Sequence, residues 1–401
     1  MIHDTTQPED RPLEDVTVVE LGHIAAGPFC TLLLAELGAD VVKVERRASG
    51  GDSVRDSSAA GNSIFNALNR NKLGVTLDLK TSGGHEAFTD LIAEADVFVE
   101  NLRPGSPEKL GIGYDDLREV NEELVYCSIK GFNEGPYQDL PALDPVAEAL
   151  SGLMSVTGHP DSPPARAGTS VSDMTAALFG AFGVVAGLRQ REHTGEGQHI
   201  TAPLFESTVT LMNYWLVYAQ TENEAPDPLG AGHNNWAPYN VYRTTDSEWV
   251  FIGPSSQAQW EQLCEALEIE LHHEDRFATL ADRRENESAL DSTLQEAIDD
   301  YTASTLIDRL RDAGVPVAPV QDAQEVCEDD HLRETDALTE IETATGDREN
   351  VSVPKFPLRS SAFSPVEPSD PPELGADTEP VLRALGYDDD AIDTLFENDC
   401  L

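Results

Sequence analysis

VTVVELGHIAAGPFCTLLLAELGADVVKVE, residues Val16–Glu45, decides the fold class. Val16–Leu21 is a β-branched run that stops at Gly22. Phe29–Leu37 has apolar residues at helical spacing, with Pro28 suited to a first turn and Gly38 just past the end. Val41–Val44 is a second short apolar strand. Strand, tight loop, helix, strand is a βαβ unit, and such units build parallel sheets with covered faces. The alternation continues outward with a strand at Val75–Leu79, a helix at Glu86–Ala93, and strands at Val97–Val99 and Leu124–Ile129. The result is an open α/β domain, whose ligands sit beyond the carboxyl ends of the strands.

Farther along, Asp173–Gln190 is apolar nearly all round and reads as a central, buried helix. TGEGQ (Thr194–Gln198) is a turn, and a helix follows over Phe205–Gln220. Thr221–Asn235 is rich in Pro, Gly and Asn and reads as a linker. Short strands at Tyr239–Tyr242 and Trp249–Ile252, with helices at Gln257–Leu267, Glu287–Tyr301 and Thr305–Ala313, form a smaller α+β domain. Thr335–Pro372 reads as strands and extended chain, closed by a helix over Glu379–Leu385. The expected division is a large α/β domain over 1–220, a linker at 221–235, a small domain at 236–325, and a return of the chain to the large domain over 326–401.

The 401 residues carry 74 Asp and Glu against 26 Lys and Arg, a formal charge of −48 that would repel nucleic acid and an anionic membrane surface. Self-repulsion of that size calls for screening by salt, so a halophilic source is expected. The five cysteines (Cys30, Cys127, Cys264, Cys327, Cys400) form no CxxC pair, and no HExxH or other metal spacing exists among ten histidines. His272 and His273 read as solvent-facing neighbours. MIHDTTQPEDRPLEDV lacks a basic region followed by an apolar one, so no signal peptide is expected. The most apolar stretch, Ala176–Leu188, is short for a membrane span. These features lead to the expectation of a cytoplasmic protein without a metal.

Five of six lysines fall between residues 43 and 130: Lys43, Lys72, Lys80, Lys109 and Lys130. Arg46, Arg47, Arg55, Arg70, Arg103 and Arg118 share that span. The asymmetry points to a small, phosphate-rich anion held by the α/β domain, although any single lysine could equally be an acid-paired surface residue. Gly22–Pro28 (GHIAAGP) joins the first strand to the first helix and lets backbone N–H groups approach a ligand. It is neither GxGxxG nor a Walker loop, and Glu45 runs directly into Arg46 and Arg47, so a nicotinamide cofactor is not indicated.

Several longer segments carry a resemblance: Ala25–Arg55, NRNKLGVTLDLK (Asn69–Lys80), DVFVENLRPGSPEKLGIGYDDL (Asp96–Leu117), and ARAGTSVSDMTAALFGAFGVVAGL (Ala165–Leu188) with TGEGQ. APYNVYRTTD, AGVPVAPV and LRALGY fit more loosely. Together they resemble the class III CoA-transferases, the CaiB/BaiF family that includes formyl-CoA transferase, from about Leu13 to Leu395. The resemblance implies a Rossmann-like large domain built from both chain ends, a smaller α+β domain, and an interlocked homodimer. It implies coenzyme A as cosubstrate, no permanently bound cofactor, and a free carboxylic acid as the other substrate.

The family's nucleophile is an aspartate before a long apolar helix, which falls on Asp173. From the residues alone, Asp173 would be a helix N-cap, kept ionised by the helix dipole. Carried over position by position, the CoA contacts are His23, Ile24, Ala25, Ala26, Arg46, Leu77, Lys80, Asn101, Leu102 and Lys109. Lys and Arg would meet phosphates, and Leu77 and Leu102 would line the adenine or pantetheine path. Asp144 falls where the family has an acid near the reacting centre, and Arg166 and His233 could meet a second substrate carboxylate. Ala25 replaces the glutamine of formyl-CoA transferase, and GAGHNN (Gly230–Asn235) has two glycines where that enzyme has a glycine lid. Formate and oxalate are therefore not implied. The substrate reading is succinyl-CoA with a C4–C5 dicarboxylate such as mesaconate, citramalate or itaconate. The alternatives are an α-methylacyl-CoA racemase, whose histidine position holds Leu143, or a non-catalytic CoA-binding protein.

Overall fold

A computed structural model of the chain describes residues 11–55, 59–345 and 349–401. The signal-peptide reading and part of the tail reading fall on residues outside these. Within them, six strands form one parallel sheet in the order β3-β2-β1-β4-β5-β6: β1 Thr17–Leu21, β2 Asp40–Glu45, β3 Lys72–Thr76, β4 Val97–Glu100, β5 Val125–Lys130 and β6 Gln198–Pro203. The strand order reverses between β1 and β4, where Leu21 lies opposite Glu100. The loop after β1 and the residue after β4, Asn101, therefore sit side by side at the switch point, the place where open α/β sheets bind ligands.

The sheet is covered on both faces, as its continuous apolar strands require. Val18, Val41, Val97, Val125 and Cys127 share a core with the helices Ala26–Glu36 and Val171–Thr194. Val19, Val42, Val75, Phe98 and Tyr126 pack with Phe88 and Leu91 of the helix Ser82–Ala93. Val381 and Leu382 of the helix Thr378–Ala384, and Ile392 and Leu395 of Asp389–Glu397, join that second core. The chain end thus closes over the sheet. It also blunts the β3 edge: Asp377 accepts the Gly74 N–H at 2.7 Å and Thr378 the Thr76 N–H at 2.9 Å. Gly74 permits this approach, since a Cβ there would lie 2.7 Å from the Glu373 carbonyl.

Two compact units are resolved: 1–153, 166–216 and 330–401 form the first, and 154–165 with 217–329 the second. The second holds the antiparallel sheet β7 Asn240–Arg243, β8 Trp249–Ile252 and β9 Val317–Pro319, around a core of Tyr242, Trp260, Phe277 and Leu306. A short antiparallel pair, β10 Leu338–Glu342 and β11 Asn350–Pro354, occupies the return segment.

Several readings are corrected. The third strand is Lys72–Thr76, not Val75–Leu79, because Asp78 turns the chain by accepting the Lys80 N–H. Phe205–Gln220 is two helices, Leu204–Leu211 and Asn213–Glu222, split at Met212. The long apolar helix is not buried all round: Ala176, Ala177, Gly180 and Val184 face the sheet, while Phe182 is 73% exposed and Leu178, Phe179 and Val185 are exposed beside it. At 24 residues it is long and apolar enough to cross a membrane by composition alone, which Ala176–Leu188 was not.

Candidate active site

The helix Val171–Thr194 begins without a cap of its own, since the Ser170 side chain makes no capping bond. Its first-turn N–H groups are satisfied from another element. Asp144, the first residue of the helix Asp144–Ser151, accepts the Ser172 N–H at 2.7 Å and the Asp173 N–H at 3.2 Å through Oδ1. Its other oxygen accepts from Arg166 at 3.2 Å. Glu148, one turn on, accepts the Ala167 N–H at 2.7 Å and faces the same guanidinium. Asp144 and Glu148 are buried and Arg166 is half exposed. Thr208 donates to the buried Ser172 hydroxyl at 2.8 Å, fixing the helix start from below.

Asp173 is therefore not the cap. Its carboxylate is half-buried and has no hydrogen-bond partner among the described residues. Burial pushes its pKa up to about 7, and the negative Asp144 adds to the rise, with Arg166 opposing. The direction runs against the expected dipole-held ionisation: burial and the Asp144 charge raise the group, and Asp144 takes the Ser172 and Asp173 N–H groups of the helix head. Burial raises Glu148 as well. Three carboxylates thus share one arginine.

The CoA-assigned residues gather at the carboxyl ends of β1 to β4. His23 is clamped by Asn101 in both directions: Oδ1 accepts the His23 N–H at 2.8 Å and Nδ2 donates to its carbonyl at 2.9 Å. Arg46 follows β2, and its Nε donates to Asp78 at 2.8 Å. Burial opposes ionisation of Asp78, but the Arg46 and Lys80 N–H groups lower its pKa. Lys80 and Lys109 are exposed, and Leu102 is half-buried. Leu77 is 2% exposed and belongs to the core, so only its backbone can meet a ligand. Ala25 and Ala26 are buried at the start of the Ala26–Glu36 helix. His233 lies in the second unit against Trp236, ring centroids 4.2 Å apart.

The lysine asymmetry needs a different explanation for three of its five members. Lys43 donates to Glu20 at 2.9 Å and Asp52 at 3.2 Å, Lys72 to Glu20 at 2.8 Å, and Lys130 pairs with Glu100. Lys43 and Lys72 are buried beneath the sheet's ligand edge as a charge lattice. Asp52, Ser172 and Glu148 were not singled out from sequence, because their partners lie 9 to 36 residues away. A separate cleft of about 960 Å³ at the ends of β4 to β6, lined by Glu100, Asp115, Asp116 and Asp139 with Tyr114 and His199, is acid-rich and unsuited to an anion. Among the described residues, no group of three or more His, Cys, Asp or Glu could hold a metal ion.

A family model described as CoA-transferase family III matches residues 13–378. The chain belongs to that family. It is 36% identical over 374 residues to the succinyl-CoA:mesaconate CoA-transferase of Haloarcula hispanica, covering 88% of this chain and 91% of the relative. It is 35% identical over 334 residues to the succinyl-CoA–D-citramalate CoA-transferase of Chloroflexus aurantiacus, covering 82% and 83%. The crystal structure of a CaiB/BaiF family protein from Brucella suis superposes with a TM-score of 0.86 at 31% identity, covering 94% of this chain and 99% of the other. This family III CoA-transferase is thus an enzyme whose relatives trade CoA between an acyl-CoA and a carboxylate, with CoA as cosubstrate.

Proposed function

We propose that this CoA-transferase moves CoA from succinyl-CoA to a C4–C5 dicarboxylate of the mesaconate or citramalate type, with Asp173 as nucleophile. The observation that carries the mechanism is the unpartnered, half-buried Asp173 carboxylate, raised to about 7 beside Asp144 at a helix head. A half-buried carboxylate without a hydrogen-bond partner is a strong nucleophile once ionised. It attacks the thioester carbonyl and expels CoA thiolate, giving an aspartyl–succinyl anhydride. The thiolate attacks the aspartyl carbonyl, releasing succinate and leaving an aspartyl-CoA thioester. The incoming acid attacks that thioester to form a new anhydride, and the thiolate then takes its acyl group and frees Asp173. One thioester is exchanged for another, so the sequence needs neither ATP nor a metal.

The CoA phosphates meet Arg46, Lys80 and Lys109, and the 23–26 loop with Asn101 and Leu102 forms the rest of the cofactor contact. Arg166, half exposed beside Asp144, meets the second substrate carboxylate. The relatives named for mesaconate and citramalate support this substrate class. The working assembly is an interlocked homodimer with large and small domains divided near 220–235 and 326. The exposed Leu178, Phe179, Phe182, Val185, Leu211 and Tyr214 supply an apolar face for that partner. The enzyme works in a cytoplasm of high salt, and dilution to ~0.1 M salt should dissociate or unfold it.

A panel of free acids assayed against succinyl-CoA, with the CoA esters identified by mass, tests the substrate. Mesaconate, citramalate or itaconate should lead the panel. Acceptance of aromatic or long-chain acids alone would refute the dicarboxylate reading and leave the transferase standing.

A further inference from the structure

The loop after β1 is held at three consecutive residues by side chains from other elements. Lys43 Nζ donates to the Gly22 carbonyl at 2.8 Å, and Asn101 clamps His23. Asp52 accepts the Ile24 N–H through both oxygens, at 3.1 and 3.2 Å. Asp52 is 1% exposed and is itself fixed, its own N–H donating to Glu45 at 2.8 Å and Lys43 bonding its Oδ2. Ile24 has φ of 65°, and it is the only β-branched residue among the described ones with positive φ. A branched side chain resists that region, so something must hold it there. The φ of Ile24 aims the peptide that follows. That peptide carries the Ala25 N–H, and the Ala25 and Ala26 N–H groups have no acceptor among the described residues.

We propose that Asp52 is a positioning residue for CoA binding, which, acting through the Ile24 amide, holds the Gly22–Ala25 loop in the left-handed turn that presents the Ala25 and Ala26 N–H groups to the cosubstrate. The proposal rests on the reading that acyl-CoA lies against this loop. Lys43 and Lys72 balance Glu20 and Asp52, and Asp52 in addition accepts the Ile24 N–H, a bond that charge balance does not require. Asn101 acts in the same way on His23, with both ends of its amide bonded to the loop.

The test compares KM and kcat for succinyl-CoA, and Kd for CoA, in Asp52→Ala, Asp52→Ala with Ile24→Gly, and the control pair Arg46→Ala with Lys80→Ala. Asp52→Ala removes the acceptor and should raise KM and Kd at least about tenfold, as for loss of a charge-assisted hydrogen bond, with kcat within about threefold. Adding Ile24→Gly should recover most of that loss, because glycine takes positive φ unaided. A double variant no better than Asp52→Ala overturns the proposal. So does an unaltered KM in Asp52→Ala when the control pair raises it, a result that leaves the CoA site intact. If the control pair also changes nothing, the CoA site itself is misplaced and the proposal falls with it. Should Asp52→Ala fail to fold, Ile24→Pro against Ile24→Gly decides. Proline removes the N–H and forbids positive φ, so it should bind CoA at least about tenfold more weakly. Equal affinity overturns the proposal.

Discussion

Two clusters of buried charge in the same unit have opposite electrostatic designs. Under the β1 loop, Glu20 is met by Lys43, Lys72 and the Thr31 hydroxyl. Burial there opposes ionisation, yet the two lysines pull Glu20 down to about 2. The same burial lowers Lys72 to about 8, so the lattice stabilises the acid more than its second cation. At the head of the Val171–Thr194 helix, Asp144, Glu148 and Asp173 share the half-exposed Arg166, and Asp173 rises to about 7. The lesson is that a matched cluster holds backbone still, whereas an under-neutralised one raises the pKa of a half-buried carboxylate.

The sharpest way to break this contrast is to delete one acid from each cluster. Asp173→Ala should cut CoA transfer by at least about a thousandfold while the thermal midpoint stays level or rises. Near-normal turnover would show the two clusters to be equally structural. Glu20→Gln should instead lower stability by about 3–5 kcal/mol in denaturant titration, the cost of leaving buried lysines unpaired. A change under about 1 kcal/mol would remove the scaffold role.

The clusters also part in pH. Glu20 has a folded pKa below its unfolded value, so its contribution is present above about 4.5 and is lost as pH falls through about 2. Asp173 has a raised folded pKa, so its protonated form favours the fold at low pH and this gain fades as pH rises through about 7. In the proposed mechanism activity runs the other way, since the ionised form attacks. The kcat/KM for acyl-CoA should fall about tenfold per unit below pH 7. A profile flat down to pH 5 would contradict the raised pKa. The smallest effect sharpens the assignment. Asp144→Asn keeps an oxygen for the Ser172 N–H but removes the charge, so the activity midpoint should move to lower pH by up to about one unit, and Arg166→Gln should move it upward.

Much of the frame was legible in the sequence. β-branched runs separated by a capped helix gave β1, β2 and the parallel sheet, and SVSD before an apolar run pointed to Asp173 through the resemblance. Pairing across the chain was not legible. Lys43 and Lys72 look like surface lysines until the sheet register brings both to Glu20. Asp144 looks like the start of its own helix, and only packing turns its Oδ1 onto the Ser172 N–H, 28 residues away. The apolar surround of Leu178 and Phe182 reads as burial, because periodicity cannot tell a core face from one left for a partner.

The central claim is that Asp173 carries the acyl group. Wild-type enzyme incubated with succinyl-CoA, quenched with hydroxylamine and digested, should yield a hydroxamate on the Asp173 peptide in peptide mass spectrometry, absent when acyl-CoA is omitted. An unmodified Asp173 peptide from enzyme that is turning over, or a hydroxamate on another residue, would contradict the account.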